Sequence, residues 1–426
     1  MDKQTAIEAH REKNGKIQIT GLVPVATKEQ LSTYYTPGVA YPCLAIKEDK
    51  EKSFEYTLRG RTAAIITDGT RILGLGNIGP EAGMPVMEGK ALLLKKFAGV
   101  DAIPVCLSAH GEDEIVRIVE AMEPTFGAVN IEDIETPKCL NIVARLRSSM
   151  GIPVFHDDSE GVAIVTLAGL INALKLAGKA MGEAKIVING AGAAGIGIAR
   201  LLARAGAENM VLVDTAGALY KGRAERMNGA KEEIAAETNP RMEKGTLQEL
   251  ARGADVLIGV SARGAFTAEM VKSMAGKPIV FALANPEPEI DYEEAKAAGA
   301  FIVATGRSDR PNQVNNLLAF PGMIRGLLET RPTRAEPEMS IAAAKAIARF
   351  VGRKAGVDMI VPDPTDRKAA MTLAAKVAGA VARTAVDMGI ATVRKDPGAV
   401  EADTKRDVKN YARYEARMLK KQGAGA

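Results

Sequence analysis

The stretch 185–214, KIVINGAGAAGIGIARLLARAGAENMVLVD, decides the fold. A short apolar run leads into a glycine-rich turn, an Ala/Leu/Ile-rich helix pattern follows, and a second apolar run ends at Asp214. In this arrangement the glycines permit a tight turn, close approach of the backbone to a pyrophosphate and close helix–strand packing. The pyrophosphate then lies against the positive end of the helix. The sequence therefore predicts a dinucleotide site at Gly190, Gly192, Ala193, Ala194 and Gly195.

Asp214 bears on the choice of cofactor. A carboxylate at the end of the second strand accepts hydrogen bonds from the ribose hydroxyls of NAD and repels the 2′-phosphate of NADP. The next two residues, Thr215 and Ala216, are not basic, but Lys221 and Arg223 follow closely. We therefore predict NAD as the favoured cofactor, with NADP as the alternative.

The rest of the chain repeats the alternation of strands and helices. Four strand-like runs separated by helix patterns precede the glycine motif, a second alternating series begins near residue 184, and the pattern after residue 316 is helical. Such alternation predicts βαβ units and largely parallel sheets. The expected fold class is α/β: an N-terminal α/β domain at 1–160, then a Rossmann-like doubly wound parallel-sheet domain with C-terminal helices at 161–426.

Composition limits the classes of function. Of 426 residues, 47% are hydrophobic and 25% charged, and the formal net charge is only +4, which gives no reason to expect nucleic acid or membrane partners. The three cysteines are far apart, which favours free thiols in a reducing compartment. The polar N-terminus does not resemble a signal peptide, and no apolar run approaches the ~20 residues that span a bilayer. A cytoplasmic protein is expected, with a disordered GAGA tail at 423–426.

Paired acids end two strands of the first domain. Glu132-Asp133 follow one strand-like run and Asp157-Asp158 follow another, each immediately before a helix pattern. Ligands of parallel sheets lie outside the carboxyl ends of the strands, so these acids are expected to converge. Without a cation the cluster would repel itself, and Mg²⁺ or Mn²⁺ is the natural ligand. The structural alternative for Asp157-Asp158 is an interaction with the free amides of the helix that begins near Gly161.

Seven segments together resemble the malic enzyme family, in its short prokaryotic type. They run in the family's order from about residue 20 to 330: YYTPGVA, TDGTRILGLGNIGPEAGMPVMEGKALL, NIEDIETP, VFHDDSEGVAIVTLAGLINAL, INGAGAAGIGIARLL, FALANPEPE and NNLLAFPGMIRG. The resemblance implies oxidation of (S)-malate with NAD(P) and decarboxylation to pyruvate and CO₂, with Mg²⁺ or Mn²⁺. It also implies a homodimer in which Tyr35 or Lys90 reaches the neighbouring subunit's site.

The resemblance also implies a role for each matching residue. Glu132, Asp133 and Asp158 would bind the metal, Lys90 would be the general base beside Asp157, and Tyr35 the general acid. Arg71 would hold a malate carboxylate, while Asn285 and Asn315 would lie at the substrate and nicotinamide, with Asn316 as the alternative to Asn315. We expect burial beside the metal to depress the pKa of Lys90 and Asp157 to oppose that shift.

Three other functions compete with this interpretation. A metal-free amino-acid dehydrogenase also combines a substrate domain, a Rossmann domain and a lysine base, but has no need of the acid cluster. A malolactic reaction would retain NAD and release lactate. A nucleotide-binding regulator would make the tyrosine, the lysine and the acids accidental.

Overall fold

A computed structural model describes residues 2–13, 15–109 and 111–423 of the chain. The last three residues of the tail predicted to be disordered lie outside the described residues. The helices are α1 (Lys3–Lys13), α2 (Lys28–Tyr34), α3 (Ala40–Glu48), α4 (Ser53–Tyr56), α5 (Pro80–Ala98), α6 (Glu112–Met122), α7 (Lys138–Ser149), α8 (Val162–Ala177), α9 (Ala193–Arg204), α10 (Gly229–Glu237), α11 (Leu247–Ala251), α12 (Ala268–Ser273), α13 (Tyr292–Ala297), α14 (Phe320–Thr330), α15 (Pro337–Val351), α16 (Arg367–Asp387) and α17 (Pro397–Gly423). The strands are β1 (Thr62–Thr67), β2 (Asp101–Cys106), β3 (Ala128–Ile131), β4 (Val154–His156), β5 (Ile186–Asn189), β6 (Met210–Asp214), β7 (Gly217–Ala218), β8 (Val256–Gly259), β9 (Ile279–Ala282) and β10 (Ile302–Thr305).

The first sheet is a four-stranded parallel sheet in the order β2-β1-β3-β4. Every residue of β1 is buried, and its side chains alternate between two cores. Ala63 and Ile65 pack in the core that includes α5 and α8, while Ala64 and Ile66 pack against α6 and α7. This alternation is the two-residue period of a strand covered by helices on both faces.

The second sheet has six strands in the order β10-β9-β8-β5-β6-β7. Its strands are parallel except for β7, a two-residue edge strand that returns antiparallel to β6 through a turn with Gly217 at φ 98°. The chain order reverses between β5 and β8, the position where doubly wound sheets bind nucleotides. The glycine-rich turn joins β5 to α9 at this position.

The C-terminal helices join the two sheets rather than belonging to the second alone. In α14 the buried Arg325 donates a 3.0 Å hydrogen bond to the carbonyl of Ala98, at the end of α5, and pairs with Asp407 of α17 at 2.8 Å. Lys96 of α5 also pairs with Glu415 of α17 at 2.8 Å. Part of the helical segment that the sequence assigned to the second domain therefore packs on the first.

Two helical segments are long and apolar enough to cross a membrane, contrary to the sequence expectation. They are 157–177, which includes α8, and 367–387, which is α16. Within their most apolar windows, 72% and 56% of the residues are buried inside the protein. Both segments act as core helices of this fold, and the buried residues of α8 include Ile164, Val165, Leu167, Leu170 and Leu174.

Candidate active site

Four carboxylates meet at the carboxyl edge of the first sheet. Glu132 and Asp133 directly follow β3, and Asp157 and Asp158 directly follow the neighbouring strand β4. Asp133 has a left-handed backbone with φ 50°, and its amide donates a 2.7 Å hydrogen bond to Oδ2 of Asp158. One carboxylate oxygen from each of Glu132, Asp133 and Asp158 lies within 4.8 Å of the others. The tertiary structure thus brings the three predicted metal ligands together.

This group of three carboxylates fits a hard divalent cation. Glu132 and Asp133 are 4% and 8% exposed, and Oδ2 of Asp133 is buried without a hydrogen-bond donor among the described residues. Burial raises the pKa of Glu132 well above its ordinary value, and burial together with Asp158 raises the pKa of Asp133 to about 7. Acids held this close would be stabilised by Mg²⁺ or Mn²⁺, which prefer oxygen ligands.

Lys90 points from α5 into the same cluster. Its ammonium pairs with Oδ2 of Asp157 at 2.5 Å and with Oε1 of Glu132, and it lies 5.0 Å from the ring centre of Phe320. Burial by itself lowers the pKa of Lys90, but Asp157, Glu132 and Asp158 raise it above the ordinary lysine value. The three carboxylates therefore outweigh the effect of burial, and the depression expected beside a bound metal stays a prediction.

A wide helical turn, Asp157–Gly161, connects β4 to α8. Such turns are frequent at functional sites because they redirect side chains that a regular helix would point elsewhere. Asp157 is fully buried, and neither its side chain nor that of Asp158 caps α8. The structural alternative for these acids, an interaction with free helix amides, is thus not what their side chains do here.

The tertiary structure distinguishes the two adjacent asparagines. Nδ2 of Asn316 donates a 3.1 Å hydrogen bond to Oδ2 of Asp157. Oδ1 of Asn315 instead accepts the amide of Leu317 at 2.9 Å and starts the short helical turn before α14. Asn316, the alternative in the sequence analysis, is therefore the one that contacts the acid cluster.

Arg71 and Asn285 line one cleft of about 480 Å³ between the two sheets. The amide of Arg71 donates a 3.1 Å hydrogen bond to the carbonyl of Asp133, which joins the arginine loop to the metal-ligand loop. Ser261 and Arg263, from the loop after β8, line the same cleft. Arg71 and Asn285, two of the three residues predicted to bind the substrate, therefore share one cleft, and Asn315, the third, does not line it.

Tyr35 is the predicted catalytic residue that the single chain does not bring to the site. It ends α2, is 66% exposed, and no described hydrogen bond joins its side chain to the acid cluster. Neither α2 nor α3 contains a buried residue.

The glycine-rich turn has the close contacts predicted for a dinucleotide site. Gly190 has φ 118°, and a side chain at Gly195 would overlap the Gly190 carbonyl. The amide of Ala193 donates to Oγ1 of Thr136 at 3.3 Å, which links this turn to the metal-ligand loop. The remaining free amides of the first turn of α9 are the ones available to a pyrophosphate.

Asp214 does not have the free acceptor capacity expected of it. Its two oxygens accept hydrogen bonds from the Ala216 amide at 2.9 Å, from Arg223 at 2.8 and 2.5 Å, and from Lys231 at 2.6 Å. Partial burial would raise the pKa of Asp214, but Arg223 and Lys231 hold it below its ordinary value. A carboxylate has about four lone-pair positions, so none remains for a ribose hydroxyl. This removes the reason for favouring NAD.

Comparison with known proteins identifies the family. Residues 13–114 match the family model "Malic enzyme, N-terminal domain", and residues 159–386 match "Malic enzyme, NAD binding domain". The chain belongs to the malic enzyme family. This confirms the predicted resemblance and the predicted α/β fold class.

Individual malic enzymes match over most of the chain. A bifunctional malic/malolactic enzyme of Bacillus subtilis is 51% identical over 95% of this chain and 98% of its own. The NADP-dependent malic enzyme of Haemophilus influenzae is 44% identical over 92% of this chain, which spans only 53% of that longer relative. The crystal structure of a malic enzyme from Pyrococcus horikoshii superposes with a TM-score of 0.96 at 44% identity, over 100% of both chains.

Two residues around this malic enzyme site, Lys231 and Glu289, were missed by the sequence analysis. Lys231 lies 17 positions after Asp214 and returns to it only because α10 folds back over the end of β6. Glu289 is 0% exposed and accepts the amides of Ser261 at 2.7 Å and Ala284 at 3.0 Å, so it holds two loops of the cleft. In the sequence, Glu289 was marked only by its position shortly after a strand-like run. Its burial could not be predicted from the local pattern.

Proposed function

We propose that this chain oxidises (S)-malate and decarboxylates it to pyruvate and CO₂, with reduction of NAD or NADP and a requirement for Mg²⁺ or Mn²⁺. The observation that carries the proposal is Lys90, whose side chain is 12% exposed and held between Asp157 and Glu132 where the acid cluster faces the nucleotide domain. A nucleotide-binding regulator has no use for this buried charge cluster. A metal-free amino-acid dehydrogenase has no use for three converging carboxylates.

Lys90 is proposed as the base that receives the proton of the malate C2 hydroxyl. Asp157 orients the amine, and Asn316 orients Asp157 from the nucleotide side. A divalent cation held by Glu132, Asp133 and Asp158 would supply Lewis-acid stabilisation of the developing oxygen charge. When those carboxylates bind a cation, they stabilise the ammonium form of Lys90 less. The pKa of Lys90 would then fall, which suits the amine to act as a base.

Arg71 and Asn285 are proposed to bind the substrate. The guanidinium of Arg71 suits a carboxylate because it can donate two parallel hydrogen bonds. Asn285 lines the same cleft from the nucleotide domain, where its amide can orient the substrate against the nicotinamide.

Tyr35 is proposed to act as the general acid from a partner subunit of a homodimer. The segment around it presents large apolar side chains to solvent, with Ile19 86%, Leu22 71% and Tyr41 75% exposed. Short helices without any buried residue gain little stability alone, so a second copy of the chain is the proposed cover. Lys90 lies in its own chain's cluster, which leaves Tyr35 as the residue that crosses.

The proposed cofactor preference includes NADP. With Asp214 paired to both Arg223 and Lys231, this corner carries a net positive charge, and Arg226 adds another cation beside Thr215. A 2′-phosphate would meet cations rather than a free carboxylate. We propose a cytoplasmic location, where both nicotinamide cofactors occur.

A malate assay with Mn²⁺, run in parallel with NAD and NADP, tests the proposal. We expect NADH or NADPH, pyruvate and CO₂ in equal amounts, and loss of the reaction with EDTA. Activity that survives complete chelation would contradict the metal assignment, and absence of pyruvate would contradict the reaction.

A malolactic reaction is the second candidate, favoured by the bifunctional name of the Bacillus subtilis relative. It would convert malate to lactate and CO₂ with no net change in NADH. Measuring lactate and pyruvate in the same assay separates the two reactions.

A further inference from the structure

A fourth glycine in the dinucleotide motif is not explained by cofactor binding. Gly197 follows Gly190, Gly192 and Gly195 and lies inside α9, where glycine is less favourable than alanine. The dinucleotide fingerprint requires only the first three. Gly197 therefore needs a different physical reason.

That reason is a contact with the turn Asp157–Gly161. A Cβ atom at Gly197 would lie 2.5 Å from the carbonyl oxygen of Ser159 and closer still to its Oγ. Ser159 is itself 7% exposed and follows Asp158 directly, so the backbone of the turn rests on the bare surface of α9. Only a residue without a side chain permits this approach.

The other metal-ligand segment contacts the same helix. Oγ1 of Thr136, three residues after Asp133, accepts the amide of Ala193 at 3.3 Å. The two segments that carry Glu132, Asp133 and Asp158 thus meet the first turns of one helix through unrelated contacts. The Gly197 contact lies outside the loop that would hold the pyrophosphate, whereas Ala193 belongs to that loop.

We propose that α9 positions the metal ligands, with Gly197 seating the turn that carries Asp158 and Thr136 securing the loop that carries Asp133. This inference rests on the metal site of the proposed function. Gly197 and Thr136 touch neither substrate nor cation, so they are positioning residues. Their effect is to fix the distance between carboxylates that come from two different strands.

The geometry sets the size of the effect. A methyl group at position 197 would have to move the Ser159 carbonyl oxygen by about 0.9 Å, from 2.5 Å to the 3.4 Å at which ordinary contact begins. Metal–ligand distances tolerate about 0.2 Å, so Asp158 would no longer match Glu132 and Asp133. Loss of an orienting contact around a metal site costs about 10- to 100-fold in metal affinity.

The test is Mn²⁺ titration of the full chain, with free Mn²⁺ measured by electron paramagnetic resonance, in the absence of malate and cofactor. Gly197→Ala should bind Mn²⁺ at least about ten-fold more weakly than wild type. Gly276→Ala, a glycine with open space around it in the same domain, should bind as wild type. NADH affinity, measured by fluorescence, should change less than about two-fold in Gly197→Ala, because the turn moves and the helix does not.

Other outcomes overturn the inference in distinguishable ways. If folded Gly197→Ala binds Mn²⁺ as tightly as wild type, Gly197 does not position the turn. The same conclusion follows if the variant loses NADH affinity and keeps Mn²⁺ affinity. Either result leaves the assignment of the metal site intact. Undiminished Mn²⁺ binding by Asp158→Asn, or none by wild type, contradicts the metal site itself and the inference with it.

If Gly197→Ala does not fold, two substitutions of Thr136 test the proposal instead. Thr136→Val loses the acceptor for the Ala193 amide and should weaken Mn²⁺ binding about three-fold, while Thr136→Ser keeps the hydroxyl and should restore it. Equal Mn²⁺ affinity in the two variants overturns the proposal.

Discussion

Lys90 is a partly buried amine whose charge is paired with two carboxylates that have other proposed roles. If it is the base, Lys90→Ala should lower kcat for malate oxidation by about 100- to 10,000-fold, because no other amine of α5 reaches the cluster. Stopped-flow measurement of nicotinamide reduction gives this rate. Lys95→Ala, on the same helix but paired with Asp101, is the control and should turn over as wild type. Full turnover by Lys90→Ala would remove the assignment.

Lys231 bears on the choice between NAD and NADP. Lys231→Gln removes one cation and frees one lone pair of Asp214, so kcat/KM with NADP should fall by about ten-fold while the value with NAD is kept or improved. Steady-state kinetics with both cofactors measures the ratio. Lys221→Gln, exposed on the preceding loop, is the control. An equal loss with both cofactors would mean that Lys231 only supports the fold.

Glu289 links stability to pH. Burial raises the pKa of Glu289 despite hydrogen bonds from Ser261 and Ala284, so the folded protein retains this proton at pH values where the unfolded chain has lost it. Its contribution to stability is greatest below the unfolded pKa of about 4.3 and falls as the pH rises toward the folded pKa. The free energy of unfolding of Glu289→Gln should therefore fall less between pH 4.5 and 7 than that of wild type, which urea unfolding measures. Parallel slopes would contradict a raised pKa.

Among the elements, the loop after β1 is joined at three places to the loop after β3 and to the start of α7. Asp68 pairs with Lys138, Oγ1 of Thr70 accepts the amide of Glu135 at 2.9 Å, and the amide of Arg71 donates to the carbonyl of Asp133. These contacts set the position of the Arg71 loop relative to the metal-ligand loop. The carboxyl edge of the first sheet therefore works as one unit.

Asp68→Asn tests this unit. It removes the buried charge that holds Lys138 but keeps an oxygen for Thr70, so the loop should loosen without unfolding. We expect KM for malate to rise about ten-fold with kcat less affected, because a misplaced Arg71 weakens substrate binding first. Asp101→Asn, which breaks a surface pair at the start of the neighbouring strand β2, should leave KM unchanged. A matching loss in both variants would indicate general destabilisation.

At the scale of the whole molecule, the position of Tyr35 predicts complementation between subunits. Tyr35→Phe and Lys90→Ala should each be nearly inactive alone. When the two variants are dissociated, mixed and reassociated, about half of the dimers contain one chain of each. In those dimers one of the two sites has both residues intact, so about a quarter of wild-type activity should return. The mixture is assayed for pyruvate formation. No recovery would mean that both residues serve a site within one chain.

The sequence alone determined the elements and the kinds of side chain at their ends. The spacing of apolar residues and glycines in 185–214 is a local property, so the strand, turn and helix followed from it. The acid pairs after β3 and β4 followed in the same way, because every parallel strand presents its carboxyl end at one edge. Membership of the malic enzyme family was also readable from segments that stay contiguous in the chain.

The tertiary structure decided which side chains meet. Asn316 rather than Asn315 faces Asp157, because the turn before α14 rotates only Asn316 toward it. Their separations from Asp157 in sequence, 159 and 158 positions, do not distinguish the two asparagines. Lys231 saturates Asp214 through the return of α10, and three carboxylates raise the pKa of Lys90 against the effect of its burial. Such outcomes depend on distances of a few tenths of an ångström between distant segments, and local periodicity carries no information about those distances.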